Sequence, residues 1–95
     1  MYYSKRDYKL LGFRQSVHRH KKYDAILQHR ETRKLVYVPF GDVAYAQYKD
    51  RTGLGLFTHA DHKDRHRRSL YRQRHSKDNK PGFYSPGYMA WYYLW

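Results

Sequence analysis

Two runs rich in Val, Ile, Leu and aromatics, Tyr23 to His29 and Lys34 to Phe40, flank the polar tetrad Arg30, Glu31, Thr32 and Arg33. This pattern predicts a β-hairpin. Alternation places Tyr23, Ala25 and Leu27 on one face of the first strand, with Asp24, Ile26 and Gln28 opposite. On the second strand Val36, Val38 and Phe40 oppose Leu35 and Tyr37, so neither face is polar and both should be covered, one by this chain and one by a partner. Pro39 cannot donate to a ladder, so pairing on its side should stop there. Upstream, Leu10, Leu11 and Phe13 cluster within Tyr8 to Arg14, where Gly12 suggests a bulge. The expected sheet is a three-stranded antiparallel meander over residues 8–14, 23–29 and 34–40.

Helical signals follow the hairpin. Asp42 after Gly41 reads as the N-cap of a short helix from Val43 to Lys49, with Tyr45 and Tyr48 three apart. Gly53 and Gly55 then interrupt the chain. Thr58 followed three residues later by Asp61 has the form of a capping box, and predicts a longer helix over residues 61–75. That segment carries Lys63, Arg65, Arg67, Arg68, Arg72 and Arg74, and its large apolar residues are Leu70 and Tyr71. Asp61 with Arg65 and Asp64 with Arg68 have favourable i, i+4 spacing. Ser76 to Gly82 reads as a linker ending in a Pro-Gly break.

From Gly82 to Trp95 no side chain is charged, and seven of the chain's eighteen aromatics fall there. Such a segment invites association if it lies exposed. Ser85-Pro86-Gly87 is a turn that aims the residues after it, and Tyr88 to Trp95 form either a short helix or an extended arm. The arm either folds back to complete a small core or inserts Tyr88, Trp91, Tyr92 and Trp95 into grooves on neighbouring proteins, and the two roles are compatible. The expectation carried forward is an α+β fold: the meander, one short and one longer basic helix, and an extended aromatic C-terminal arm. It forms a single domain over residues 1–95, with a basic N-terminal segment (1–22), a hairpin-helix core (23–80) and the arm (81–95).

Composition sharpens this picture. The 95 residues hold 20 Lys and Arg against 8 Asp and Glu, a formal charge of +12, with no cysteine. A chain this short buries a thin core, and without cysteine it has neither a disulfide framework nor a thiolate zinc site. The missing cysteines make assembly inside a cell the expectation; no apolar run approaches a membrane span and the basic N-terminus lacks the apolar stretch of a secretory signal, so no integral membrane protein is expected. The mean hydropathy of −1.13 suggests disorder, whereas 12 Tyr, 4 Phe and 2 Trp do not. A protein that completes its folding against something larger reconciles the two.

Candidate chemistry is sparse. His59, His62 and His66, with Asp61 and Asp64 nearby, could be imagined as a zinc or manganese site, but the neighbouring Arg and Lys repel a divalent cation. Neither metal nor cofactor is expected. Gly53-Leu54-Gly55 lacks the frame of a phosphate loop, and no serine has the context of a nucleophile, so no enzymatic activity is expected. The basic helix is the better candidate. Arg67, Arg68, Arg72 and Arg74 would bind anions, either acidic surfaces of protein partners through forked hydrogen bonds or the phosphates of DNA without sequence preference.

Five segments together resemble a known family: KKYDAILQ (Lys21 to Gln28), FGD (Phe40 to Asp42), YAQYKD (Tyr45 to Asp50), DRHRRSLYRQRH (Asp64 to His75) and SPGYMAWYYLW (Ser85 to Trp95). They look like small basic proteins of unassigned function encoded by nucleocytoplasmic large DNA viruses of algae, protists and animals, over roughly residues 8–95. The closing aromatic segment is the most specific of the five. The resemblance implies a virus-encoded structural protein packaged in the virion, a minor capsid component bridging other capsid proteins within a large assembly. The alternative is a non-specific DNA-binding protein that helps to package the viral genome.

Overall fold

The computed structural model describes residues 2–77 and 82–95. Its centre is the expected antiparallel meander, β2 (Tyr8–Gln15), β3 (Lys21–His29) and β4 (Leu35–Asp42), in that spatial order. A two-residue strand, β1 (Tyr3–Ser4), pairs with β5 (Phe83–Tyr84) in a separate antiparallel sheet that the alternation pattern does not predict.

Register confirms the period-two reading. Leu10, Leu27 and Val36 form one row of the core face, Phe13, Ala25 and Val38 the next, and Gln15, Tyr23 and Phe40 a third. Tyr23, Ala25, Leu27, Val38 and Phe40 are all buried. The β2–β3 register shifts between Leu10 and Gly12, so Leu11 is the extra residue of a bulge and lies 49% exposed. Pro39 stands opposite Asp24 within the β3–β4 ladder, and pairing continues past it to Asp42. β4 is an edge strand, which is where a residue without an N–H donor is tolerated.

The helices differ from expectation in three places. Val43 to Lys49 form no helix. Asp42 does cap a turn, its Oδ1 accepting from the Ala44 N–H at 2.8 Å. The backbone beyond is drawn into tertiary partners instead: Gln47 donates to Ala60 O at 3.1 Å and accepts from the His62 N–H at 2.9 Å, while the Lys49 N–H donates to Leu94 O at 3.0 Å. Those bonds use groups that an i→i+4 ladder would need.

The basic helix α1 spans Arg65–Arg74, starting four residues later than expected. Thr58–Ala60 form a separate single 3-10 turn, and the Asp61 carboxylate turns inward to accept from Gln47 and from the Asp50 N–H. Lys63 adopts a left-handed conformation (φ 55°), and Asp64 becomes the true cap, accepting from the His66 and Arg67 N–H groups. Neither expected i, i+4 ion pair forms. Among the described residues the ion pairs are Arg6–Asp7 and Arg14–Asp24.

The C-terminal segment is helical rather than extended. Ser85 caps α2 (Pro86–Tyr93) through its hydroxyl, which accepts from the Tyr88 N–H, and Pro86 at the first turn favours that start. α2 lies against β4. Met89 and Leu94 are buried with the core strands, and Tyr84, Tyr88, Ala90, Tyr93 and Trp95 pack around them. Leu94 comes so close to Gly41 that a Cβ there would meet its methyl at 2.8 Å, and Gly41 itself has φ +78°. The aromatic arm is thus one wall of the core. The expected linker from Ser76 to Gly82 lies largely outside the described residues.

No helix among the described residues is long and apolar enough to cross a membrane.

Candidate functional site

The four arginines singled out on α1 divide into two pairs. Arg68 and Arg72, four apart, face Trp95: Arg68 Nε donates to Trp95 O at 2.8 Å and Arg72 donates to the same oxygen at 3.1 Å. Their guanidiniums also cover rings, Arg68 over Tyr48 at 4.6 Å and Arg72 over Trp91 at 5.3 Å. Burial, with Arg68 and Arg51 nearby, pushes the Arg72 guanidinium below its ordinary pKa. Arg67 and Arg74, seven apart on the helix, are exposed instead and line a cleft.

The proposed aromatic anchors are largely engaged within the chain. Trp95 stacks on Tyr71 of α1 with ring centroids 4.2 Å apart and planes 4° from parallel, and His62 lies 5.2 Å away. The Tyr88 hydroxyl accepts from Lys5 Nζ at 2.7 Å, and that bond is the chief reason the Lys5 pKa is raised. Trp91 is half-buried beneath Arg72, and Tyr92, 44% exposed, is the anchor that faces outward.

The metal candidates do not converge. Among the described residues no group of three or more His, Asp or Glu side chains is placed to hold an ion. His62 instead supports the start of α1, where its Nδ1 accepts from the N–H of the capping residue Asp64 at 2.9 Å. That bond requires an unprotonated Nδ1. Burial, reinforced by Arg67 and opposed by Asp64 and Asp61, lowers the His62 pKa below 6.5. The folded state therefore binds this proton more weakly than the unfolded chain, so its contribution is complete above pH 6.5 and is lost as pH falls from there toward the folded value. Thermal melts from pH 7.5 down to 5 should show the wild-type midpoint falling more steeply than that of a His62→Asn variant, whose amide oxygen can accept the same bond. Parallel curves would remove the role assigned to His62.

Sequence reading missed a buried polar network beside the cleft. Lys22, 2% exposed, donates at 2.7 Å both to Tyr45 O and to Gln47 Oε1. The Gln47 amide donates in turn to Phe57 O at 3.0 Å and to Asp61 Oδ1 at 2.7 Å. Next to it the Tyr23 hydroxyl donates to Asp50 and accepts from the Leu56 N–H. Burial lowers the Lys22 pKa against the opposing pull of Asp42, Asp50 and Asp61, and burial raises that of Tyr23. The alternation pattern gave no signal, since Lys22 precedes the expected strand, whereas in β3 it leads the buried run from Lys22 to Ala25.

The network accounts for much of the acidic complement. Asp24 is buried against Arg14 and Ser16, Asp50 and Asp61 bond inward, and Asp64 caps α1. Asp78 lies outside the described residues. Among the exposed acids, Asp7 approaches Arg6 at 3.9 Å, Asp42 holds its own turn and Glu31 stands in the turn between β3 and β4. The outward-facing charge is therefore predominantly positive.

The sheet face opposite the core is closed over by Arg14 and Ser16 at the Arg14–Asp24–Pro39 row and is otherwise largely open among the described residues. It carries the cross-strand rows Gly12–Ile26–Tyr37 and Lys9–Gln28–Leu35. Tyr37 is 36% exposed and Leu35 46%, and Arg14 lies over the Tyr37 ring at 3.7 Å.

Compared with known proteins, the chain matches no family model, and no curated protein or solved structure matches it.

Proposed function

We propose that this protein is a non-catalytic structural component of a large DNA virus particle, a minor capsid protein that bridges other particle proteins. The observation that carries the reading is the open part of the sheet face opposite the core, where Leu35 and Tyr37 are exposed near the half-buried Ile26, with Leu11 exposed at the bulge. Isolated apolar side chains are normal on a surface, but a cluster on one sheet face favours a protein partner. The resemblance to small basic viral proteins supports the setting, and the engagement of Trp91 and Trp95 within the chain favours the sheet face over the C-terminal segment as the adhesive surface. Leu11→Glu combined with Leu35→Glu alters two exposed positions without touching the core. Recovery of this variant with purified particles of the encoding virus should fall while its melting temperature stays near that of wild type. Undiminished recovery would overturn the bridging role.

A second reading is favoured by the charge distribution. With most carboxylates turned inward or holding turns, the exposed cations present a field suited to a polyanion, and non-specific binding of duplex DNA follows from counterion release. Affinity for duplex DNA should then fall by about two orders of magnitude or more between about 50 and 200 mM salt. Absence of binding at the lower concentration would eliminate this reading and leave the bridging role standing.

A further inference from the structure

A cleft of about 590 Å³ opens between the ends of β3 and β4, helix α1 and helix α2. Its floor is apolar, formed by Phe40 and Leu94, which are themselves buried. Its rim is cationic: Lys21 comes from β3, Arg67 and Arg74 from α1, and all three are exposed. Lys22 lies in the wall behind them, 2% exposed, its ammonium turned to Tyr45 O and Gln47 Oε1 and compensated by the nearby Asp42, Asp50 and Asp61. The carboxylate that lines this space is Asp42, and its Oδ1 already accepts from the Ala44 N–H. Neither ion pair among the described residues lies here.

We propose that this cleft binds a small phosphate-bearing ligand with a flat body, of the chemical class of a nucleoside diphosphate. Three exposed cations on the rim of a partly enclosed space, with Asp42 the carboxylate that lines it among the described residues, call for an anion. Two of them are arginines, whose forked donors match phosphate oxygens. A bare inorganic anion would leave the half-buried apolar wall of Pro86, Ala90 and Trp95 uncovered, and a wholly apolar ligand would leave the cations uncompensated. The volume falls within the roughly 300 to 1,000 Å³ of small-molecule sites. At the rim the Tyr45 side chain is 69% exposed, a ring against which a flat base can stack. Its loop is held in place from below by the Lys22 ammonium, which bonds the Tyr45 carbonyl.

The inference goes beyond the bridging role, which uses the other face of the sheet, and is separable from general attraction of polyanions, which would draw on every exposed cation alike. A free nucleotide and the phosphorylated end of a nucleic acid share the chemistry named here.

Calorimetric titration of the full chain at about 150 mM salt, where long-range charge effects are screened, separates the possibilities with ADP, inorganic pyrophosphate and adenosine as probes. ADP should bind with one equivalent, at least about tenfold tighter than either pyrophosphate or adenosine. Arg67→Ala with Arg74→Ala should weaken ADP binding about 10- to 100-fold, the loss expected for charge-assisted hydrogen bonds. Tyr45→Ala should weaken it about fivefold or more through lost stacking. Lys63→Ala with Arg65→Ala, exposed positions outside the cleft, should change it by less than about threefold. In competition against ADP, a single-stranded oligonucleotide with a 5′ phosphate that displaces it, where the unphosphorylated strand does not, would identify a nucleic-acid end as the source; failure of both would identify a free nucleotide. The proposal is overturned if wild type does not bind ADP, if pyrophosphate binds as tightly as ADP, or if the outside pair weakens binding as much as the cleft pair.

Discussion

Deleting residues 84–95 is expected to unfold the protein rather than to release a mobile arm. The segment supplies Met89 and Leu94, both buried in the core, and the partly buried Tyr84, Tyr88, Ala90, Tyr93 and Trp95 that surround them. It also supplies Tyr84, half of the β1–β5 pairing, and the carbonyls of Tyr93 and Leu94 that accept from the Arg51 and Lys49 N–H groups. Truncating a buried Leu or Met to Ala costs about 2 to 5 kcal/mol. Two such losses already approach the whole stability of a domain this size, about 5 to 14 kcal/mol at typical values per residue. Near-ultraviolet circular dichroism and amide dispersion of the truncated chain should therefore show no fixed tertiary packing, and Leu94→Ala alone should lower urea stability by about 2 to 5 kcal/mol. A truncated chain that unfolds cooperatively near the wild-type midpoint would refute this packing. For the same reason, deletion of the segment cannot test an interface role for Tyr88, Trp91, Tyr92 or Trp95.

The second large effect is expected at Gln47. Gln47→Leu removes the acceptor of Lys22 and the donors to Phe57 O and Asp61, at a residue with no exposed surface. The ammonium is left with the Tyr45 carbonyl as its remaining protein acceptor, and Asp61 loses one of the two donors that hold it inward. Leaving charged groups under-bonded in the interior costs more than a neutral hydrogen bond is worth, so a loss of about 3 kcal/mol or more is expected. Lys22→Met in the same chain should recover part of it, because an apolar side chain of similar length no longer needs the acceptor. Urea unfolding of the single and double variants checks both values. Additive losses in the double variant would show that Lys22 and Gln47 are not coupled.

The meander was legible because every signal for it is local: alternating apolar positions, a polar tetrad at the turn and a glycine beside the bulge. Segments governed by distant partners were not. The helix expected from Val43 to Lys49 lost its backbone groups to Ala60, His62 and Leu94, none of which is near in sequence. The capping-box form at Thr58 was sound locally, but Asp61 had inward partners and yielded the cap to Asp64. The C-terminal segment was recognised as adhesive, and one of its two readings, closure of the chain's own core, describes where it lies. Within the candidate site, composition identified the cations of α1 but not their division. Arg67 and Arg68 are adjacent and chemically identical, and it is the position of Trp95 that draws Arg68 inward and leaves Arg67 on the cleft.

Contacts between segments far apart in the sequence also govern when this fold can form. Lys5 bonds Tyr88 across 83 positions, Tyr3 pairs with Tyr84, and Phe13 packs on Tyr93. Contacts that span most of a chain are the slowest to close. During synthesis the hairpin of β3 and β4 can pair early, but its apolar inner face has no cover until Met89 and Leu94 have emerged from the ribosome. The nascent chain thus passes through an interval in which that apolar surface is displayed, the condition under which partly folded chains aggregate unless a chaperone shields them.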